Sequence, residues 1–246
     1  MDTTEVLADL ATFVRGGPPS GCNVVRSSLP FPWFGDLGRA TAAVVALNPN
    51  EDLTKCPSLQ ALGLDVYSDL RGEEVRRLAE RCTSYFESPN CNRDFFKLLE
   101  EVLLATGHSY GLTGGAGATA VHLDISPWQT APVWGELNEK QRLDLRLNAE
   151  ALFIGLLRKS AVMVLYANGN GAGGQLVQTG RRINAWSTGE PKYISGVPDE
   201  FSSLGLQSGT LHLPEKAVTV WTWSKFLPRE GPDYAASLCR FFRSIK

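Results

Sequence analysis

The chain has 246 residues, of which 43% are apolar and 20% charged, with a formal net charge of −2. This is the composition of a globular protein and a length suited to one large domain. It holds no run of about 18 apolar residues that would cross a membrane, and its near-neutral balance excludes the overall basic surface that many nucleic-acid binders carry. A local basic patch stays open, with Arg181, Arg182, Lys192, Lys225 and Arg229 as the cations in the second half of the chain.

Residues 1–40 read as an N-terminal helix followed by an irregular lead-in. Met1–Arg15 is acidic and amphipathic and lacks the basic start and apolar run of a signal peptide, so a cytoplasmic protein is expected. Gly17-Pro18-Pro19 and Pro30-Phe31-Pro32 mark the lead-in. Residues 41–246 carry four short apolar runs: Ala42–Leu47, Ala120–Ile125, Ala161–Ala167 and Ala217–Trp223. Each has the length of a strand buried on both faces. Helical patterns lie between them. Phe95, Leu98, Leu99, Val102 and Leu103 form one stripe, and Asn138 with Gln141 reads as a capping box opening a helix to about Lys159. Asp233 is the expected cap of a last helix bearing Tyr234, Leu238, Phe241, Phe242 and Ile245. Strands alternating with helices imply parallel pairing. The expected fold is a single α/β domain, a three-layer α/β/α sandwich on a mostly parallel four-stranded sheet. Residues 168–216, rich in Gly, Ser and Pro, are expected to be a long excursion with little regular structure.

The five cysteines, Cys22, Cys56, Cys82, Cys91 and Cys239, have irregular spacing and no CxxC, which points to reduced thiols and to neither a disulfide framework nor a metal site. Parallel sheets bind ligands at the carboxyl ends of their strands. Here those ends are Asn48, Asp124, Asn168–Gly169 and Thr222–Ser224. Gly169-Asn170-Gly171-Ala172-Gly173-Gly174 also fits GxGxxG, which raises a nucleotide- or dinucleotide-binding enzyme as an alternative. The motif follows the third run, however, and no acidic residue closes a further strand some 20 residues on.

The residues at these ends resemble the uracil-DNA glycosylase superfamily. Ala46-Leu47-Asn48-Pro49-Asn50 is similar to the strand-then-NPG motif of its mismatch-specific and single-strand-selective branches. Tyr85-Phe86 followed by Asn92-Arg93-Asp94-Phe95-Phe96-Lys97-Leu98-Leu99 is similar to a second family stretch. Leu123-Asp124-Ile125-Ser126-Pro127 falls where the family reads the base with an Asn. Ala167-Asn168-Gly169 resembles its strand-then-Gly turn, and Trp223-Ser224-Lys225-Phe226-Leu227-Pro228 its DNA-inserting loop. The order holds over roughly residues 42–245.

The resemblance implies a monomeric, monofunctional DNA glycosylase that flips out a base, hydrolyses its N-glycosidic bond and leaves an abasic site, needing no metal or cofactor. It gives Asn48 the positioning of water, although Asn48-Pro49 also reads as a plain turn. Asn50 stands where the classical uracil enzymes place a Tyr that excludes C5 substituents. Glu51 and Asp52 then add acceptors, or form an exposed acidic loop. Tyr85 or Phe86 would stack on the base, unless both are core. Asn168 would contribute to the base pocket, and Gly169 and Gly171 would meet DNA phosphate. Trp223, Ser224, Lys225 and Phe226 would fill the duplex gap and hold phosphates.

Two departures matter. An ionised Asp124 accepts only, so it cannot donate to O4 of uracil as Asn does. It can accept from the amino group of cytosine, or it is a loop Asp with no base contact. The loop His that stabilises the leaving base is also missing; Trp223, Ser224, Lys225 or protonation of the base would replace it. With the open C5 side, this points to a C5-modified cytosine such as hydroxymethylcytosine or its glucosylated form in phage DNA. Uracil or mismatch repair is the alternative within the family.

Overall fold

The computed structural model describes residues 3–25, 27–48, 58–113, 117–185, 190–195 and 197–245. Its strands are β1 (Trp33–Phe34), β2 (Ala42–Ala46), β3 (Ala120–Asp124), β4 (Val164–Ala167), β5 (Lys192–Tyr193), β6 (Gln207–Leu213) and β7 (Lys216–Thr222). Its helices are α1 (Thr3–Gly16), α2 (Gly72–Thr83), α3 (Arg93–Thr106), α4 (Glu139–Lys159), α5 (Gly169–Arg182), α6 (Leu227–Glu230) and α7 (Pro232–Ser244).

The protein is α/β. The four apolar runs form β2, β3, β4 and β7, which lie parallel in the order β3-β2-β4-β7. The sheet is nevertheless seven-stranded and mixed, in the order β1-β3-β2-β4-β7-β6-β5. Antiparallel β1 extends one edge, and antiparallel β6 and β5 the other. The expectation of four strands fails because β6 carries no continuous apolar run. Its Gln207-Ser208-Gly209-Thr210-Leu211-His212-Leu213 buries only Leu211 and Leu213, and pairing with β7 through a turn at Pro214-Glu215 holds it in place.

The segment 168–216 is correspondingly more regular than expected, since it holds α5, β5, a 3₁₀ turn at Asp199–Leu204 and β6. Its glycines look like loop formers, yet they let α5 settle onto the sheet. A Cβ at Gly173 would sit 3.4 Å from Thr222 and 3.9 Å from Ala167, ordinary packing distances at a close helix–strand contact.

Side chains alternate between two faces. His122, Val44, Tyr166 and Trp221 share one row across β3, β2, β4 and β7. Phe96 of α3 meets His122 at 5.2 Å, and Phe242 of α7 meets Tyr166 at 5.8 Å and Trp221 at 5.5 Å, so α3 and α7 cover this face. α5 covers the other and is tied to α4 by the Arg146–Gln178 hydrogen bond and the Arg182–Glu150 ion pair. The capping box of α4 forms as read: Asn138 Oδ1 accepts from Gln141 N at 2.9 Å, and Gln141 Oε1 from Asn138 N at 3.0 Å. α7 corrects its expected start. Pro232 takes the first turn, where a missing N–H costs nothing, and Asp233 lies inside the helix rather than capping it. No helix among the described residues is long and apolar enough to cross a membrane. Cys22, Cys82, Cys91 and Cys239 are buried thiols.

Candidate active site

Sheet register builds the site. Ala46 pairs with Asp124 at the ends of β2 and β3. Asn168 N donates to Val45 O at 2.9 Å, one step beyond the Ala167 pairings with Val45 and Thr222. The register therefore continues as a row of Asp124, Ala46, Asn168 and Trp223, two residues beyond the His122 row and on the same face. Asp124 and Asn168 are 3% exposed and Trp223 1%. Between the two polar side chains, Ala46 offers only a methyl group. Above this floor opens a cavity of about 360 Å³, walled by Phe34, Phe95 and Trp134 and rimmed by Phe226 and Arg229. That volume suits one small organic ring system.

Asn48 lies on the cavity wall. Its Nδ2 donates to Thr130 Oγ1 at 3.0 Å and to the Trp128 carbonyl at 3.4 Å. The amide is thereby held by its donor end, which leaves its carbonyl oxygen as the acceptor.

Asp124 Oδ1 is buried without a hydrogen-bond partner. His122 Nε2 lies 3.4 Å from this oxygen, near enough to act on it electrostatically. Burial raises the Asp124 carboxyl above its ordinary 3.8, and His122 opposes the rise. The imidazole is itself enclosed. Phe34 and Phe96 meet it edge-on at 5.4 and 5.2 Å, and its Nδ1 faces Tyr110 Oη at 3.4 Å. Behind Tyr110, the buried Glu100 carboxylate accepts from Ser109 Oγ and Tyr110 N, both at 2.7 Å. Burial, then Glu100 and Asp124, hold the Tyr110 hydroxyl well above its usual range.

Asn168 Oδ1 accepts from Leu227 N at 3.0 Å and from Trp223 Nε1 at 3.3 Å, while its Nδ2 is buried with no partner. Gly169 opens α5 with φ +86°, and a Cβ there would come within 3.1 Å of Phe226 N. A Cβ at Gly171 would meet Leu47 at 3.1 Å, whereas Gly174 faces open space. This separates the glycine run from a dinucleotide fingerprint, whose third glycine serves close helix–strand packing. Here that contact belongs to Gly173, one position early.

The cavity thus gathers Asn48, Asp124, Asn168, Gly169, Gly171, Ser224 and Phe226. Other expected positions lie elsewhere. Tyr85 and Phe86 belong to the aromatic core behind the wall, not to the lining. Phe86 stacks on Tyr110 at 4.6 Å, and Tyr85 Oη accepts from Asn92 N at 3.1 Å. Phe34, Phe95 and Trp134 hold the lining positions instead. Phe95 lay on the helical stripe, but nothing in the sequence placed Trp134 or Phe34 here. Trp223 is buried and cannot enter a duplex from this position. Lys225 pairs with Glu230 at 2.8 Å, outside the cavity. Asn50, Glu51 and Asp52 lie outside the described residues.

Comparison of the chain with protein-family models and with curated proteins returned no match.

Proposed function

We propose that the protein is a monofunctional DNA glycosylase of the uracil-DNA glycosylase type that releases a C5-modified cytosine, hydroxymethylcytosine or its glucosylated form, from phage DNA. One observation carries this reading: an amide held by its donor end and a buried carboxylate, one oxygen of which has no hydrogen-bond partner, line a ring-sized cavity at the carboxyl ends of parallel strands. In the reaction the C1′–N1 bond breaks with its electron pair going to the base. Water adds its oxygen to C1′, and its proton ends on the base. Asn48 Oδ1 accepts from that water and orients it, since an amide does not remove a proton. Asp124 accepts from the C4 amino group, and a proton shared between its carboxyl and N3 of the base makes cytosine a better leaving group. Burial raises the Asp124 carboxyl and so favours keeping that proton.

The same burial supports a second reading. A protonated carboxyl carries both a donor and an acceptor, as Asn does, and so also fits uracil. One panel of duplexes separates the two. Strands bearing uracil, a thymine mismatch, hydroxymethylcytosine or its glucosylated form are incubated with the protein and cleaved with alkali. Strand breaks at the modified cytosines support the first reading, breaks at uracil or the mismatch support the second, and breaks at none overturn both.

A further inference from the structure

We propose that Asn168 Nδ2 is the hydrogen-bond donor to the departing base, at the carbonyl oxygen beside its glycosidic nitrogen; this rests on the glycosylase reading above. When the C1′–N1 bond breaks, the electron pair left on the base spreads onto that oxygen, and a fixed donor aimed at it lowers the barrier. The side-chain donors of Trp223, Ser224 and Lys225 in the loop after β7 are engaged. Trp223 Nε1 is directed at Asn168 Oδ1, Ser224 Oγ donates to the Leu204 carbonyl at 3.0 Å, and Lys225 is held by Glu230. Arg229 also lines the cavity but is exposed, and the high dielectric of the solvent around it weakens its pull on the base.

Asn168 differs from all of these. Two donors, Leu227 N and Trp223 Nε1, converge on its Oδ1, and a flipped amide would turn its NH₂ against both. The orientation is therefore fixed, and Nδ2 is left as a buried donor without a partner in a residue lining the cavity. Across Ala46 stands its counterpart, Asp124, with an unpartnered acceptor. Asn168 and Asp124 lie two strand spacings apart, about 10 Å between main chains. That leaves room for one planar ring over the Ala46 methyl. Its edge must carry a donor at one end and an acceptor at the other. Cytosine does, with its C4 amine and its C2 carbonyl.

Asn168→Asp tests the assignment: ionised, as the two donors Leu227 N and Trp223 Nε1 favour, it keeps their acceptor and puts a negatively charged acceptor where the Nδ2 donor stood. Base release should fall about 10²–10³-fold with duplex binding little changed. The rate should also depend more steeply on leaving-group acidity across a series of C5-substituted bases. Release at the unaltered rate overturns the assignment, as does a slower rate with unchanged dependence on acidity, which marks a structural role. If the unaltered protein releases no base, the glycosylase reading fails and this one with it. Should the variant not fold, inhibition of the unaltered protein decides. Free cytosine should inhibit at least about tenfold better than 4-aminopyrimidine, which lacks the C2 carbonyl, as loss of one good hydrogen bond requires. Equal inhibition overturns the assignment.

Discussion

Replacing Gly169 with Ala, beside the same change at Gly174, tests how α5 is seated against the cavity. Gly169 sits at φ +86°, in the left-handed region. A Cβ there costs about 1–2 kcal/mol in backbone strain. That Cβ would also stand 3.1, 3.2 and 3.3 Å from Phe226 N, Lys225 C and Phe226 Cα. These are backbone atoms, which cannot rotate aside, so the loop must shift at a further cost of about 1 kcal/mol or more. The total of about 2–3 kcal/mol corresponds to a melting temperature lower by about 5–10 °C for a chain of this size. Gly174 has open space around its Cβ position and no left-handed backbone. Alanine there removes a helix-interior glycine and should be neutral or stabilising by up to about 1 kcal/mol. Thermal unfolding followed by far-ultraviolet circular dichroism reads both. Base release should fall in Gly169→Ala, because Phe226 moves at the cavity rim, and hold in Gly174→Ala. Equal melting temperatures for the two variants, or the larger loss at Gly174, would refute this account of the glycine run.

Other variants address the chemistry and its support. Asn48→Ala should abolish base release, read as alkali-induced strand breaks, while DNA binding persists; retained release would remove Asn48 from the reaction. Burial raises the Asp124 carboxyl. The folded protein thus holds that proton over a pH range where the unfolded chain has lost it, and stability falls as pH rises from about 3.8 through the folded value. Asp124→Asn should remove that decline, melt higher than the unaltered protein at neutral pH, and release modified cytosine more slowly because an amide gives up no proton. Parallel stability–pH profiles would contradict it. Glu100→Ala strips the acceptor from Ser109 Oγ and Tyr110 N in a residue 1% exposed. It should cost about 3 kcal/mol in urea unfolding, and a loss below about 1 kcal/mol would show that water replaces the carboxylate.

The parallel centre of the sheet was legible because strands buried on both faces are mostly apolar, as Ala42–Ala46 is throughout and Ala120–Asp124 is apart from His122 and Asp124. β6 was not, since its half-buried alternation gains order only by pairing with β7. α5 was hidden for a related reason. Glycines that permit close packing are indistinguishable in sequence from glycines that form loops, and only the distances from Gly171 to Leu47 and from Gly173 to Thr222 tell them apart. At the site, the strand-end rule named Asn48, Asp124 and Asn168 because register places strand ends together. The aromatic lining was not legible. Tyr85 and Phe86 are as apolar as Phe34 and Trp134, and only the path of the chain decides which pair faces the cavity and which the core.

Ala46 carries a consequence of its own. It is 5% exposed and separates the two polar side chains as the floor of the cavity. Between Asp124 and Asn168 the depth available to a bound ring is therefore limited by a side chain to which the proposed reaction gives no part. Growth of that residue by one or two carbons would make the pocket shallower while leaving Asn48, Asp124 and Asn168 where they are. In the proposed reaction, selectivity for ligand size and competence for chemistry thus fall on different residues of the same row, and the first can change without the second.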